Sequence, residues 1–484
     1  MLNVNQHFKF LNNSNIENIN IDKQKISEEL KNLYKIIYPN MVSIAKYLYL
    51  HENIYKNNFK NYKRIFDDYE ELEKSYTDRF INKFSFPLYN RNIVKHSLKF
   101  NIKLNYFTLL KKFKTDEESD LQDKKICFYK PNALALVSSK WNLFEKLKIN
   151  NYNNFEDLYN NKKFEINEDL FNAILLNFSG FFQEEIFLNI FKKICNKFVN
   201  IIFFLDFFVD NNLILPKSEK IIFGSESQIL TKVIRYKLIN KGYKIYTFEH
   251  GARSFIYKND YYFTKYNRLL FANNYFLSGI GQSNIAKNYK DISKKIILTK
   301  NFEPKISNIL NKTFTYQNNK KILYVLEMQN NRNFVQEPHN IDYRFQKNII
   351  IFLIDFFQKN KLFFKLKKHP DSAVKEYSEF NLSGDLINFY HQFDVILFDH
   401  SQSTAFCEAL NTNKKIILLD YDQNNFENNF KKMVYKRCQI IKTILNNNFS
   451  IEIDEKNLKN SILKDNKISD EVINDTRYFF RPKE

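Results

Sequence analysis

The sequence predicts an α/β protein with two doubly wound parallel sheets and a helical N-terminal region. Three observations support this fold class. The chain has 484 residues, which is too long for one small core and indicates two or more domains. From residue 219 onward, short apolar runs alternate with amphipathic segments, and this strand–helix alternation is typical of parallel sheets. Polar residues follow several apolar runs, where such sheets bind their ligands.

The composition is that of a globular protein with a strong positive charge. Hydrophobic residues make up 44% of the chain and charged residues 26%, and the formal net charge is +20. The charge favours an anionic partner such as a nucleotide, a phosphorylated lipid or an acidic membrane surface, although AT-rich codons would also enrich lysine. Cys127, Cys195, Cys407 and Cys438 are scattered, which argues against a zinc site or a disulfide framework and predicts a cytoplasmic protein.

Residues 1–120 are predicted to form a helical N-terminal region. Apolar residues recur there at three- and four-residue spacing, with an interruption at Pro39. No signal peptide is predicted, because the first ten residues lack a basic segment followed by an apolar one. The apolar run 198–209 is too short to span a bilayer and contains Asp206, so it is predicted to be buried, with a membrane-surface contact as the alternative.

The first doubly wound domain is assigned to residues 121–310. Its first β-α-β unit comprises the strand in "EKIIFGSES", the helix in "QILTKVIRYKLINKG", which stops at Gly242, and the strand in "YKIYTFEHG". A further strand is predicted within residues 273–284. Five of the seven glycines lie between Gly224 and Gly281, where tight turns or the approach of a ligand would require them.

The second doubly wound domain is assigned to residues 318–445, after a linker over residues 301–320. Strands are predicted in "KKILYVLEM", "LFFKLKKHP", "DVILFDHSQST" and "KIILLD", and helices in "RFQKNIIIFLIDFFQKNK" and "AFCEALNTNK". The polar stretch 446–484 is predicted to be a helical C-terminal tail.

A hydroxyl-rich turn follows the strand in "DVILFD". Ser401, Ser403 and Thr404 precede a helix, and hydroxyls and backbone N–H groups at a helix N-terminus can bind an anion such as a phosphate. Ordinary N-capping by Ser403 or Thr404 is the alternative. Glu408 lies one turn into the helix and either accepts a hydrogen bond from a ribose hydroxyl or faces solvent.

Two histidines stand at other strand ends. His369 lies between Lys368 and Pro370 and could bind a phosphate or protonate a leaving group, or it is a plain turn residue in a basic loop. His250 precedes a glycine and could act as a general base on an acceptor hydroxyl, or it is structural. Glu249 could orient His250 or be the base itself. Ser225, which follows "IIFG", is a further polar residue at the end of a predicted strand.

These motifs resemble those of bacterial surface-polysaccharide transferases with the GT-B fold. Sialyltransferases and polysialyltransferases carry an acidic-acidic-Gly motif, a His-Pro motif and a Ser-Ser/Thr motif, and capsule Kdo transferases and teichoic-acid glycerophosphotransferases are similar. In this chain the motifs read Glu249-His250-Gly251, His369-Pro370 and Ser401-Gln402-Ser403-Thr404. The histidine in the first motif resembles the His-Gly pair of the glycerophosphotransferases and departs from the sialyltransferase pattern. The resemblance covers residues 219–420.

The resemblance implies two Rossmann-like domains, with residues 121–310 on the acceptor side and residues 318–445 binding the nucleotide donor. It implies a glycosyltransferase or glycerophosphotransferase with a nucleotide-activated, cytidine-linked donor and a lipid-linked or polysaccharide acceptor at the inner membrane, for a capsule or lipopolysaccharide. His250 would be the base, with Glu249 as the competing group. His369 would bind the donor phosphate and stabilise the leaving nucleotide, and Lys368 and Ser225 would also bind the donor. We identify no Asp-x-Asp motif at a strand end, so neither a metal nor a cofactor is expected. Ser401, Ser403, Thr404 and other protein donors would neutralise the leaving phosphate instead.

Two other functions remain open. A sugar-nucleotide epimerase or hydrolase of the same fold would bind a nucleotide without a lipid acceptor. A basic nucleic-acid-binding or scaffold protein would fit the charge, but we find no helix-turn-helix, RRM or zinc-finger signature, and the lysines are spread evenly along the chain.

Overall fold

A computed structural model provides the structure of the chain. It describes residues 19–56, 126–129, 144–146, 148–149, 166–215, 219–223, 229–249, 254–258, 260–277, 279–298, 320–326, 343–368, 377–401, 403–422, 424–446, 450–464 and 468–481. The linker predicted over residues 301–320 lies outside these ranges except for its last residue.

The first half of the chain contains a sheet of six parallel strands. They are β1 (Ile126–Tyr129), β2 (Phe144–Lys146), β5 (Lys220–Phe223), β6 (Lys244–Phe248), β7 (Asn274–Leu277) and β8 (Ile296–Leu298). Their spatial order is β2-β1-β5-β6-β7-β8. Two further short strands, β3 (Lys148–Ile149) and β4 (Leu213–Ile214), form a separate antiparallel pair.

Four long helices cover one part of this sheet with a shared apolar core. They are α1 (Glu28–Lys56), α2 (Glu168–Phe178), α3 (Glu185–Asn212) and α4 (Ile229–Asn240). Helix α1 packs against α3 and α4, so the described part of the N-terminal helical region belongs to the core of the first half. Pro39 lies inside α1, and the predicted interruption there was wrong.

Local sequence explains where two of these helices begin or end. The Asn167 side chain accepts a hydrogen bond from the Leu170 backbone N–H (3.0 Å), which satisfies one of the unpaired donors at the start of α2. Gly242 follows α4 with a φ of 85°, a conformation that glycine adopts without steric cost. Both signals are visible in the sequence, and the predicted helix stop at Gly242 is where the structure has it.

Helix α3 contains the apolar run 198–209, and most of its apolar residues are buried as predicted, although Phe207 is exposed. Asp206 within this run is paired with Lys237 of α4 (2.8 Å), which explains how a carboxylate is accommodated there. Among the described helices, none is both long enough and apolar enough to cross a bilayer.

Shorter helices complete the first half: α5 (Asp260–Phe263), which continues into a π-helical segment (Thr264–Arg268), α6 (Ile280–Ala286) and α7 (Lys290–Ser293).

The second half contains a sheet of six strands, five of them parallel. They are β9 (Ile322–Val325), β10 (Phe364–Lys367), β11 (Val395–Phe398), β12 (Lys415–Asp420), β13 (Cys438–Leu445) and β14 (Ile451–Ile453). Their spatial order is β10-β9-β11-β12-β13-β14, and only β14 runs antiparallel to its neighbour.

Alternate residues of these strands enter two different cores. Leu323 and Ile396 face a core shared with the first half, whereas Ile322 and Val395 face the opposite core. Both faces of the sheet are therefore covered, as is expected for the doubly wound sheet that the strand–helix alternation predicted. The helices of this half are α8 (Tyr343–Lys359), α9 (Thr404–Leu410), α10 (Asn428–Arg437), α11 (Glu455–Leu463) and α12 (Asp470–Phe480).

Helix α12 packs against both halves of the chain. It packs against α9 and α10 of the second half and against α6 of the first, and the Ile280 backbone N–H donates to the Arg481 carbonyl (2.9 Å). Gly281 faces the Phe479 ring so closely that a Cβ at this position would lie 2.1 Å from a ring carbon. Close packing against Phe479 explains this glycine without an approaching ligand.

The chain therefore has the predicted α/β fold with two Rossmann-like halves. Counted along the chain within each sheet, the strands lie in the order 2-1-3-4-5-6 in both. This order reverses direction between β1 and β5 in the first sheet and between β9 and β11 in the second. Crevices at such reversals, beyond the carboxyl ends of the strands, are where open α/β sheets bind ligands.

Candidate nucleotide site at the carboxyl ends of the two sheets

The crevice of the second sheet is bordered by the residues that directly follow β11. Asp399, His400 and Ser401 are all buried at this strand end, with exposed fractions of 2%, 6% and 1%. The Tyr324 hydroxyl of β9 donates to Asp399 Oδ2 (2.6 Å), across the point where the strand order reverses. His400 Nδ1 lies 2.7 Å from Asp399 Oδ1. The strand end predicted to carry the phosphate site therefore begins with a buried, hydrogen-bonded network.

Ser401 is held by both halves of the chain. The Tyr257 hydroxyl of the first half donates to Ser401 Oγ (2.8 Å), and Ser401 in turn donates to Asn424 Oδ1. The Asn424 amide donates to Asp420 Oδ1 (3.2 Å) at the end of β12. The Ser401 hydroxyl hydrogen is thus engaged, and a phosphate at this position would have to replace Asn424 as its acceptor.

Further contacts join the first half of the chain to the segment that follows β12. Tyr257 forms an isolated antiparallel bridge with Phe426, and their rings stack with centroids 5.2 Å apart. The Tyr289 hydroxyl donates to Glu427 (2.8 Å). Segments that follow the carboxyl ends of β6 and β12 therefore meet beside the end of β11.

Ser403 caps helix α9. Its Oγ accepts a hydrogen bond from the Phe406 backbone N–H (3.1 Å), as the capping alternative predicted, and Thr404 is the first helical residue. A serine hydroxyl that accepts from the backbone still carries a hydrogen that it can donate. Capping by Ser403 and donation to a phosphate are therefore chemically compatible.

Glu408 is buried, with an exposed fraction of 5%, so the alternative that it faces solvent was wrong. The Tyr390 hydroxyl donates to Glu408 Oε2 (3.4 Å). Burial raises the pKa of Tyr390 well above its usual value, and the neighbouring Glu408 carboxylate raises it further. Glu408 lies on the buried side of α9, and its contact with a ribose stays a prediction.

Glu249 directly follows β6, and its carboxylate has partners in two other segments of the first half. Its Oε1 accepts hydrogen bonds from the Ser254 backbone N–H (3.0 Å) and from the Gln282 amide (2.7 Å). Gln282 also donates to the Ser254 carbonyl (2.9 Å). One carboxylate oxygen of Glu249 therefore joins the end of β6 to Ser254 and to Gln282 of α6.

A buried polar cluster supports the end of this loop. Ser254 Oγ lies 2.8 Å from the Tyr275 hydroxyl, and the Arg268 guanidinium donates to both groups. Burial raises the pKa of Tyr275 to about 12, although the Arg268 charge opposes the shift. The segment between Ser254 and Tyr257 is therefore anchored rigidly before it reaches Ser401.

Lys368 follows β10, and its backbone N–H donates to Asn381 Oδ1 (3.2 Å). Lys367 Nζ lies 3.4 Å from the Lys368 carbonyl, and burial lowers the pKa of this ammonium group. His369, His250 and Ser225 lie outside the described residues. The described strands β10, β6 and β5 end at Lys367, Phe248 and Phe223, a few residues before these positions. The predicted roles of His369, His250 and Ser225 stay predictions.

Asp420, Tyr421 and Asp422 form an Asp-x-Asp sequence that begins at the last residue of β12, so the expectation that no such motif stands at a strand end was wrong. Asp420 Oδ1 accepts from the Asp422 backbone N–H (3.1 Å) as well as from Asn424. Burial raises the pKa of Asp420 above its usual value. Within the described ranges, no three or more His, Cys, Asp or Glu side chains form a group that could hold a metal ion.

Sequence reasoning missed four residues that build this region: Tyr257, Tyr324, His400 and Asn424. His400 was visible within "FDHSQST", next to the predicted serines, but nothing in the sequence indicated that its ring contacts the preceding aspartate. Tyr257 and Ser401 are separated by 144 positions. No local pattern could have paired them.

Comparisons with known proteins gave a fold-level likeness only. No family model matches the chain, and no curated protein matches it. Among solved structures, it is similar to UDP-GlcNAc 2-epimerase from Methanocaldococcus jannaschii in complex with UDP-GlcNAc and UDP. That alignment has 12% identity and a TM-score of 0.35, and it covers 73% of this chain and 97% of the other. A second structure of that enzyme gives 12% identity, coverages of 71% and 93%, and a TM-score of 0.34. The fold assignment rests on the strand orders and not on this likeness.

Proposed function

We propose that the chain is a metal-independent glycosyltransferase or glycerophosphotransferase that uses a nucleotide-activated, cytidine-linked donor. One observation carries the proposal. The polar residues at the carboxyl ends of the two parallel sheets converge, and Tyr257 of the first half contacts Ser401 of the second (2.8 Å). The second sheet reverses its strand order beside β11, which Ser401 follows, so a donor bound by this sheet would face an acceptor bound by the first sheet.

The donor would lie on the second sheet. Its phosphates would contact the hydroxyls of Ser403 and Thr404 and the side chains of Lys368 and His369. Protein hydrogen-bond donors and positive charges can neutralise a leaving phosphate in this way without a metal. Ser401 would join them once a phosphate oxygen replaces Asn424 as its acceptor. Glu408 would accept a bond from the donor's ribose.

The acceptor would lie on the first sheet, where His250 would remove a proton from its hydroxyl. Glu249 is the competing base. However, its Oε1 accepts hydrogen bonds from the Ser254 backbone N–H and from the Gln282 amide, and both bonds require the carboxylate to keep its position. These contacts favour a structural role for Glu249, and His250 is the base that we propose. The acceptor would be a lipid-linked or polysaccharide glycan of a capsule or lipopolysaccharide, at the inner face of the membrane.

A thermal-shift panel tests the nucleotide site. CMP, CDP, UDP, GDP and their sugar or glycerol conjugates are added to the full chain at saturating concentration. A ligand at about 100 times its Kd stabilises a protein by about 2.7 kcal/mol, which is readily measured as an increase in Tm. We expect a cytidine nucleotide to increase the Tm of wild type and not of His369→Ala. His391→Ala, which removes an exposed histidine, is the matched control and should respond like wild type.

The products distinguish transfer from the alternative reactions. Transfer requires an added acceptor, whereas a hydrolase releases the nucleotide with water alone and an epimerase changes the sugar without releasing it. We expect His250→Ala to abolish transfer and leave donor binding intact. If no nucleotide changes the Tm of wild type, the proposed function is wrong.

A further inference from the structure

The resemblance to known transferases gives no role to the pair Asp399 and His400. The pair lies directly after β11, beside the reversal of strand order in the second sheet. It is buried, with side-chain exposures of 2% and 7%. A buried, ionisable pair at the ligand-binding edge of a sheet is costly unless it is fully hydrogen-bonded.

Both oxygens of the Asp399 carboxylate have partners. Oδ2 accepts from the Tyr324 hydroxyl (2.6 Å), and Oδ1 lies 2.7 Å from His400 Nδ1. Tyr324 belongs to β9, and its own position is fixed by the sheet. The carboxylate is thus held by one neighbouring strand and in turn holds the imidazole.

This arrangement fixes the tautomer of His400. A carboxylate oxygen accepts hydrogen bonds, so Nδ1 must carry the hydrogen, and Nε2 is then the basic nitrogen of the neutral ring. When Nε2 takes up a proton, Asp399 stabilises the resulting imidazolium. A carboxylate that orients a histidine and stabilises its charged form is a recurring device for proton transfer.

The pair also lies where the two halves of the chain meet. Ser401, the next residue, contacts Tyr257 of the first half. Phe398, the residue before the pair, belongs to the core that both halves share, and its ring centroid lies 6.2 Å from that of His400. The pair therefore borders the space in which the donor and the acceptor would react.

We infer that His400 is the proton donor to the leaving nucleotide, an inference that rests on the proposed function, and that Asp399 is its positioning residue. As the bond between the transferred group and the donor phosphate oxygen breaks, its electron pair stays on that oxygen. The oxygen receives the proton from Nε2, and His400 becomes neutral. The acceptor oxygen forms the new bond, and its proton passes to His250.

The test uses the full chain with CMP-sialic acid, CDP-glycerol and UDP-GlcNAc as probes, and measures nucleotide release and nucleotide binding separately. We expect His400→Gln to lower kcat by about 10²- to 10⁴-fold, the usual contribution of a general acid, while the Kd of the nucleotide stays within about threefold. Asp399→Asn should give a similar loss. The double variant should lose little more than either single variant, because Asp399 acts through His400.

Two variants separate proton transfer from a structural role. Tyr324→Phe removes only the outer partner of the carboxylate and should lower kcat by a smaller factor, with Kd unchanged. His391→Gln, in an exposed histidine, should leave both constants unchanged. In ¹⁵N NMR spectra of wild type, which need no variant to fold, His400 should carry its neutral-state hydrogen on Nδ1.

An unchanged kcat in His400→Gln would overturn the inference, as would a hydrogen on Nε2 in the neutral ring. A loss of kcat that is matched by the loss of nucleotide binding would also overturn it and assign the pair a structural role. Wild type that binds no nucleotide contradicts the proposed function, and the inference with it. Wild type that binds and releases nucleotide with no effect of His400→Gln contradicts the inference alone.

Discussion

At the scale of single residues, the site region depends on a few buried polar contacts that no short motif encodes. The hydroxyl-rich turn and the cap at Ser403 could be predicted, because both depend on residues within a few positions of each other. The partners of Ser401 could not, since Tyr257 comes from the other half of the chain. The contact between Asp399 and His400 also escaped prediction, because neighbouring residues on an extended chain point to opposite sides unless the chain turns.

The first prediction concerns the hydroxyl that joins the halves. Tyr257→Phe removes the donor to Ser401 and keeps the ring that stacks on Phe426. We expect a loss of about 1 kcal/mol in the free energy of unfolding, measured by urea denaturation, since this is the usual net value of a buried hydrogen bond. The exposed Tyr478 offers a control: Tyr478→Phe should change nothing measurable. Equal effects of the two substitutions would mean that the Tyr257 hydroxyl makes no stabilising bond.

The second prediction is a pH dependence at Asp420. Burial raises the pKa of this group above 3.8, its ordinary value, so just above that pH the folded chain keeps a proton that the unfolded chain has released. The unfolded state then binds fewer protons, and the free energy of unfolding decreases as pH rises through this window. Asp420→Asn removes this titration, so its unfolding free energy should decrease less with pH than that of wild type. Denaturation curves at several pH values measure both slopes, and identical slopes would contradict the assignment.

At the scale of secondary-structure elements, prediction succeeded where the spacing of the apolar residues and the length of the run indicated the same type of element. Strands β5, β6, β9, β10, β11 and β12 and helices α3, α4, α8 and α9 all lie where apolar runs predicted them. We did not predict β13, in which burial alternates only from Ile441 to Leu445. Glycine was harder to interpret, because Gly281 is required by a phenyl ring about 200 positions away rather than by a turn or a ligand.

The third prediction tests that packing. Gly281→Ala would place a Cβ 2.1 Å from a Phe479 ring carbon and should cost about 1–3 kcal/mol in the free energy of unfolding. In a Phe479→Ala background, the same substitution should cost far less, because the ring is gone. Gly180→Ala is the matched control, since a Cβ there meets no atom within 4 Å. If Gly281→Ala lowered the free energy of unfolding equally in the Phe479→Ala background, contact with the Phe479 ring of α12 would not be the cause of the loss.

At the scale of the whole molecule, two sheets of the same strand order share a core. Residues of both halves, among them Tyr257, Tyr275, Leu323 and Phe398, form one buried cluster, and α12 packs against both. The sequence predicted two Rossmann-like units, because each unit's strands and helices follow one another locally. It could not predict how the units meet, because contacts such as Ile280 with Arg481 join distant segments.

The central claim is that a nucleotide binds at the carboxyl ends of the two sheets. Hydrogen–deuterium exchange of the full chain, with and without a saturating cytidine nucleotide, tests it most directly. We expect slower exchange in peptides that contain residues 399–410 and 249–258, and unchanged exchange at the amino ends of the strands, for example in residues 413–416. Protection confined to the amino ends, or no protection by any nucleotide in the panel, would contradict the claim.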